Sequence, residues 1–255
     1  GQPGVSLRRT VWTNRSPPPR SVAGQSSKDQ YLLKNSFSLN MEDDSDYSSF
    51  SPLDSMVKNS SFFFLGEASH FIASNPNTQL KFLKYLYKTA GVRNLIIEYG
   101  YSEGYLFNEY LKSGNENILE GIAQFRLPDY KEFWKQLFIF NRSLPENAKI
   151  SVVGLDFERS EAAFRALCQL LPYKDPPTEI SRTIGLIRRL NISESLQEYE
   201  FRKRMKQVKR NSNKHKDVYK NFLGNNFFHF DLIVNNPAKP PPKVGILFTQ
   251  REKSM

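Results

Sequence analysis

Residues 62–70 read FFFLGEASH, an apolar run of strand length that leads into a polar turn. Further along the chain, residues 94–98 read NLIIE, a second apolar run that ends directly in an acid. Both runs are apolar without alternation, as are strands that are covered on both faces of a parallel sheet. The two stretches therefore predict two strands of an α/β fold, each followed by polar side chains.

The rest of the chain extends this pattern. Residues 150–153 and 244–248 are two further apolar runs of strand length, and helical patterns separate the runs. Between the first two runs, apolar residues recur at helical spacing from 80 to 87, and Gly91 is a suitable C-terminal stop. Strand–helix–strand alternation of this kind predicts a largely parallel sheet flanked by helices.

Three more helices follow from local start and stop signals. Residues 102–113 form a helical pattern with Ser102 as the expected N-cap and Gly114 as the terminator. Pro128 is placed to open an aromatic-rich helix, because proline is favoured in the first helical turn. Residues 159–171 are predicted to form a third helix, which ends before a proline.

The domain organisation follows from changes in composition. Residues 1–50 are rich in proline and serine and carry the acidic run 42–46, so they predict a flexible N-terminal arm with little apolar surface to bury. Residues 51–255 form the predicted α/β domain, in which 178–222 is a basic helical insertion.

The totals exclude several classes of protein. Cys168 is the single cysteine, so the chain has no internal disulfide and no multi-cysteine metal site. The net charge of +10 is concentrated in residues 202–216, which lack the interleaved aromatics that stack on bases. We therefore interpret this run as a solvated helix face and expect no nucleic-acid partner. No apolar run is long enough to span a bilayer, and the compartment is left open.

Polar residues follow each predicted strand. In open α/β sheets, ligands bind outside the carboxyl ends of the strands. If the four strands are parallel, one edge of the sheet collects the following side chains: Glu67, His70, Glu98, Asp156 and Arg251. A capping role for Asp156 at the next helix is an equal alternative. His229 lies in the segment FFHF and is interpreted as a histidine of an aromatic cluster.

The same residues carry a resemblance to a known family. The chain resembles the erythromycin-esterase-like proteins in five segments. They are LGEASH, the strand that ends in Glu98, the helix YSEGYLFNEYL at 101–111, the GLD element at 154–156 and the REKSM segment at 251–255. The resemblance runs from about Pro52 to Met255 and is densest in its first half.

This resemblance implies hydrolysis of a carboxylic ester or lactone, a small-molecule substrate. His70 is then the general base that activates water, and Glu67 or Glu98 orients its ring. In this mechanism Arg251 is expected to stabilise the oxyanion if it reaches the same edge of the sheet. Asp156 is expected to contact the substrate. Tyr101 is a candidate to line an apolar cleft for the substrate, with core packing as its alternative. No resident cofactor is expected.

Two alternatives stay open at this point. Glu67, His70 and Glu98 could instead bind one divalent metal ion through oxygen and nitrogen ligands. The chain could also be a non-catalytic binding or surface protein, because Phe71 stands where the family usually has glycine. The family further contributes a histidine-bearing strand after the 251–255 segment, so we expect the chain to be a fragment or a shortened member.

Overall fold

The structure is a computed structural model that describes residues 26–41, 43, 45–66, 74–123, 128–171, 174–189 and 198–235. The chain divides into two units, Gly1–Ser51 and Pro52–Met255. The described part of the first unit contains helix α1, Ser27–Asn35. The Ser26 hydroxyl accepts the backbone N–H of Asp29, whose carboxylate accepts the N–H of Ser26, so a reciprocal capping box starts this helix.

The second unit alternates helices with two short strands. In chain order its elements are α2 Asp54–Lys58, α3 Ser74–Ala90, β1 Asn94–Ile97, α4 Tyr101–Ser113, α5 Glu116–Ala123, α6 Pro128–Arg142, β2 Ser151–Gly154, α7 Ser160–Leu170, α8 Thr178–Arg188, α9 Glu198–Lys214, α10 Lys216–Leu223 and α11 Phe227–Asn235. Short 3-10 turns lie at Ser48–Leu53, Glu146–Ala148 and Gly224–Asn226.

The two strands form a parallel pair, in register from Asn94 opposite Ser151 to Ile97 opposite Gly154. Helices α4, α5 and α6 make the crossover between them, as parallel pairing requires. The fold is therefore α/β, mostly helical with a small parallel sheet, and the predicted fold class is confirmed.

Helix α4 lies between two hydrophobic cores. Tyr105 and Leu106 pack with α7 to α11 on one side, whereas Phe107, Tyr110 and Leu111 pack with α3, α6 and β2 on the other. Because both of its sides are covered, most of the helix is buried, including the polar residues Ser102 and Glu103.

Small residues let α4 lie directly against β2. A Cβ added at Gly104 would stand 2.5 Å from the backbone nitrogen of Gly154. A Cβ added at Gly154 would meet the backbone of Gly100 even more closely. Glycine is therefore required at these positions by close packing rather than by an unusual backbone angle.

The predicted helix boundaries are confirmed at several points. Gly91 and Gly114 follow α3 and α4 and both have φ of +68°, the left-handed conformation that glycine adopts readily at helix ends. Pro128 is the first residue of α6, and α7 occupies the helix predicted at 159–171. The prediction of Ser102 as N-cap was wrong, because the helix begins one residue earlier and Gly100 is the N-cap.

The strand predicted at 62–65 was also wrong. Residues 62–66 have no regular structure, and the side chains of Phe62 and Phe64 are 77% and 95% exposed. A strand covered on both faces would bury both of these side chains, so the apolar run alone is not sufficient to build one. The strand predicted at 244–248 lies outside the described residues.

The helical character predicted for 178–222 is confirmed in its described parts. Phe201, Met205 and Val208 of α9 are buried in the first core. Four cations lie on the opposite, exposed face of the same helix: Lys203, Lys206, Arg210 and Lys214. This is the solvated basic face expected from the sequence. Within the described ranges, no helix has both the length and the apolar character needed to cross a bilayer.

Candidate functional site

The carboxyl ends of the two strands lie side by side. The backbone N–H of Leu155 donates to the carbonyl of Ile97 at 3.2 Å, and the N–H of Asp156 donates to the carbonyl of Tyr99 at 2.8 Å. Pairing therefore continues beyond both strands and fixes the two following loops against each other. Glu98 lies in the first loop and Asp156 in the second.

Both acids line one large cavity at this edge of the sheet. The cavity has a volume of about 1320 Å³, and both acidic side chains are exposed to it. Small-molecule sites usually have about 300–1,000 Å³, so this cavity has room for a substrate at or above the upper end of that range.

Most of the cavity wall is apolar. Its aromatic members come from the 60–66 segment, the loop after β1 and helix α6, and they are Phe62, Phe63, Tyr99, Tyr130, Phe133 and Trp134. Aliphatic side chains of α3 and β1 complete this surface. An apolar wall with a few convergent charges at one end is the usual composition of a ligand site.

Two buried carboxylates stabilise the start of α4, next to the loops that carry Glu98 and Asp156. Both oxygens of Glu158 accept the backbone N–H of Ser102 at 3.2 Å, and the Glu158 residue is only 6% exposed. Glu103, 3% exposed, accepts the N–H of Gly100 at 2.9 Å. The first turn of α4 is thus capped by one acid of its own and one from the loop after β2, which joins the two loops.

Burial controls the protonation of Glu158. Desolvation raises the pKa of its carboxyl above the ordinary value of 4.5, and the nearby charge of Glu103 adds to this effect. Hydrogen bonds from Ser102 act in the opposite direction. Sequence reasoning missed both acids. Glu103 carries a recognisable signal, an acid at the third position of a helix, whereas Glu158 has none.

A cation stands on the same cavity wall. Arg159 lies three residues after Asp156, and its Nη1 atom is 3.6 Å from Oε1 of Glu103. The centre of its guanidinium is 5.9 Å from the centre of the Tyr99 ring. The cavity edge therefore combines two exposed acids with one positively charged group.

Tyr101 and His229 form a separate contact away from the cavity lining. The Tyr101 hydroxyl and Nδ1 of His229 are 2.7 Å apart, and the Tyr105 ring centre lies 5.0 Å from that of His229. The aromatic environment predicted for His229 is confirmed. Desolvation, with a contribution from Lys112, lowers the pKa of its imidazole below 6.5. Tyr101 is not one of the described residues that line the cavity, and its substrate-binding role stays a prediction.

The structure brings together part of the predicted site. Glu98 and Asp156 meet at one sheet edge, as the strand-end argument requires. Asp156 does not cap α7, because that helix begins at Ser160 with Arg159 as its N-cap. Glu67, His70 and Arg251 lie outside the described residues, so their roles stay predictions.

The same limit applies to the metal alternative. Among the described residues, no group of three or more His, Cys, Asp and Glu side chains is arranged to hold a metal ion. Two of the three ligands considered, Glu67 and His70, lie outside that part of the chain. The proposed ligand set therefore stays a hypothesis.

Comparison with known proteins gives one sequence relative and clear structural neighbours. No family model matches the chain. Over 131 residues the chain is 27% identical to the erythromycin esterase type II of Escherichia coli, a match that covers 50% of this chain and 30% of that protein.

Two solved structures share the fold. One is a Bacillus cereus protein, with a TM-score of 0.52, and the other is a succinoglycan biosynthesis protein, with a TM-score of 0.57. Each is 17% identical and covers 83% of this chain and 56% of its own. The chain thus spans about half the length of these structures and under a third of the curated relative's length.

Proposed function

We propose that this erythromycin-esterase-like chain takes part in the hydrolysis of a carboxylic ester or lactone at the sheet edge that carries Glu98 and Asp156. One observation carries the proposal: two exposed acids, from the loops that follow two neighbouring strands, line a single cavity whose wall is mostly apolar. The relationship to an esterase supports the reaction class. The cavity volume supports a substrate with a bulky apolar body.

In the proposed reaction His70 is the general base. A water oxygen attacks the carbonyl carbon while the imidazole takes a proton from that water. The π electrons of the carbonyl move to its oxygen, which becomes an oxyanion. When the tetrahedral intermediate collapses, the bond to the alcohol oxygen breaks and the imidazolium returns its proton to that oxygen. The products are an alcohol and a carboxylic acid, which then ionises.

Carboxylates suit the supporting roles. Either Glu67 or Glu98 orients the imidazole and stabilises its protonated form, and the other acid holds the attacking water. In this proposal Asp156 accepts hydrogen bonds from hydroxyl groups of the substrate, and Arg251 stabilises the oxyanion.

Hydrolysis of p-nitrophenyl butyrate and of erythromycin by the purified chain tests the proposal. We expect His70→Gln to lower kcat by about 10²-fold or more, which is the usual contribution of a general base. Glu98→Gln should also lower kcat, because a neutral amide supports the imidazolium or the attacking water less well than a carboxylate does. The matched control is His215→Gln, which changes a histidine at the start of α10, far along the chain from the sheet edge. Circular dichroism must show that each variant is folded.

Three outcomes distinguish the alternatives. Full activity in folded His70→Gln overturns the general-base role. Loss of activity with a chelator and its return with zinc would instead favour the metal site of Glu67, His70 and Glu98. Saturable binding of an ester without turnover by the wild-type chain would favour a non-catalytic binding protein.

A further inference from the structure

Two arginines line the cavity, but they are held in different ways. The guanidinium of Arg93 donates to the carbonyls of Val92 at 3.0 Å and Tyr87 at 3.4 Å, and it stacks on the Tyr87 ring at 3.8 Å. These contacts direct Arg93 toward its own backbone. Arg159 has a side chain that is 56% exposed, so much of its guanidinium faces solvent in the cavity.

The exposed guanidinium of Arg159 is also held in place. The carboxylate that holds it, Glu103, has a side chain only 4% exposed, and its other oxygen is fixed by the Gly100 N–H. A buried acid behind an exposed arginine sets the direction of the guanidinium and leaves N–H donors on its outer side. The Tyr99 ring borders the same group.

Arg159 is close to the acids that the proposed reaction uses. It follows Asp156 by three residues, and both line the cavity together with Glu98. The positive charge of Arg159, next to these two acids, can stabilise an oxygen atom that becomes negatively charged during a reaction. A guanidinium binds such an oxygen with directed N–H groups and stays protonated at physiological pH.

We propose that Arg159 is a catalytic residue that binds the negatively charged oxygen of the ligand in this cavity. In the reaction above, which this inference rests on, that oxygen is the former carbonyl oxygen of the tetrahedral intermediate. Arg159 donates N–H groups to it and transfers no proton. After collapse of the intermediate, the same donors hold the carboxylate product. Arg159 thus acts together with any contribution from Arg251.

The test pairs Arg159→Gln with Arg93→Gln, which removes the other cavity arginine. The first readout is kcat and KM for p-nitrophenyl butyrate. Loss of a donor to an oxyanion lowers kcat by about 10²–10³-fold, and we expect this in Arg159→Gln with little change in KM. We expect Arg93→Gln to change kcat by less than about threefold, since Nη1 of Arg93 donates to backbone carbonyls and its guanidinium stacks on the Tyr87 ring.

The second readout does not depend on turnover. Phenylphosphonate carries tetrahedral anionic oxygens, and its binding is measured by calorimetry. We expect Arg159→Gln to raise the Kd for phenylphosphonate by about tenfold or more, because a charge-assisted hydrogen bond to the anion is lost. Arg93→Gln should leave the Kd nearly unchanged. Arg159→Lys, which keeps the charge but loses the planar fork, should give an intermediate Kd.

The two readouts separate the two proposals. If the wild-type chain hydrolyses no ester but binds phenylphosphonate through Arg159, the proposed function fails and the assignment of Arg159 stands. If wild type and Arg159→Gln bind phenylphosphonate equally, or wild type does not bind it, the assignment of Arg159 is overturned. Arg159→Lys provides the same comparison if Arg159→Gln does not fold.

Discussion

The side chain of Asn108 forms two hydrogen bonds with the backbone of Val152, as a neighbouring strand would. Its Oδ1 accepts the Val152 N–H at 2.8 Å, and its Nδ2 donates to the Val152 carbonyl at 2.6 Å. Asn141 makes the same pair of bonds with Ile150, at 2.7 and 3.1 Å.

These bonds lie on the outer edge of β2. Ser151 donates its N–H to the carbonyl of Arg93 and so faces β1, whereas the alternate residues Ile150 and Val152 face away from it. Both of these residues are 3% exposed, so their backbone groups would be buried without a partner if the asparagines were absent. The side chains of Asn108 and Asn141 therefore provide the hydrogen-bond partners that a further strand beside β2 would otherwise provide.

Replacing Asn108 with Ala should destabilise the fold strongly. Two buried backbone groups of Val152 lose their partners, and we expect the free energy of unfolding to fall by about 2–4 kcal/mol. Urea denaturation measures this change. The matched control is Asn213→Ala, an exposed asparagine inside helix α9, for which a change within about 0.5 kcal/mol is expected. Equal effects of the two substitutions would contradict the role of Asn108.

Two helix glycines should respond in opposite directions to replacement by alanine. At Gly104 the new methyl group would lie 2.5 Å from the Gly154 nitrogen, and we expect a loss of about 1–3 kcal/mol from overpacking. At Gly185 in α8 the nearest atom is a flexible Arg189 nitrogen at 3.6 Å. Alanine there should stabilise by about 0.5–1 kcal/mol through helix propensity. Thermal unfolding of both variants checks the sign, and a neutral Gly104→Ala would mean that α4 can move away from β2.

Glu158 should make the fold less stable as the pH rises. Burial raises the pKa of its carboxyl in the folded chain above the ordinary 4.5. At a pH between the ordinary pKa of the unfolded chain and the raised pKa of the folded chain, Glu158 is protonated in the folded chain and ionised in the unfolded chain. The free energy of unfolding therefore falls as the pH increases through this window.

The comparison of wild type with Glu158→Gln isolates this effect. Urea denaturation from about pH 4 to about pH 8 gives the free energy of unfolding of both proteins. We expect the wild-type value to decline relative to that of Glu158→Gln with increasing pH, because the amide does not ionise. A difference that is constant across this range would contradict the raised pKa of Glu158.

His229 should show the opposite dependence. Its pKa is lowered mainly by burial, so in the window below 6.5 the unfolded chain binds a proton that the folded chain does not. Stability from this group is therefore lost as the pH falls through that window. The imidazole proton resonance of His229, assigned by its absence in His229→Gln, should titrate with a midpoint below 6.5. A midpoint at or above this value would show that the Tyr101 contact leaves the ring accessible to water.

Local signals in the sequence were sufficient to predict helices α3, α4, α6 and α7 and two of the acids at the sheet edge. Gly91 and Gly114 end helices because glycine enters the left-handed conformation without a steric cost, a property that needs no tertiary context. Glu98 and Asp156 were predictable together, because the carboxyl ends of parallel strands meet at one edge.

Only the tertiary structure decided the remaining features. Glu158 reaches Ser102 and Asn108 reaches Val152 across 56 and 44 residues of chain, and no local pattern encodes such a contact. The role of Arg159 is also visible only in the tertiary structure, because the sequence does not show that the buried Glu103 lies next to its guanidinium. The apolar run at 62–65 was misread for the same reason. An apolar run of this kind is stable as a strand only if other elements pack against its side chains. Here Phe62 and Phe64 are exposed, and the sequence of the run does not reveal which elements pack against it.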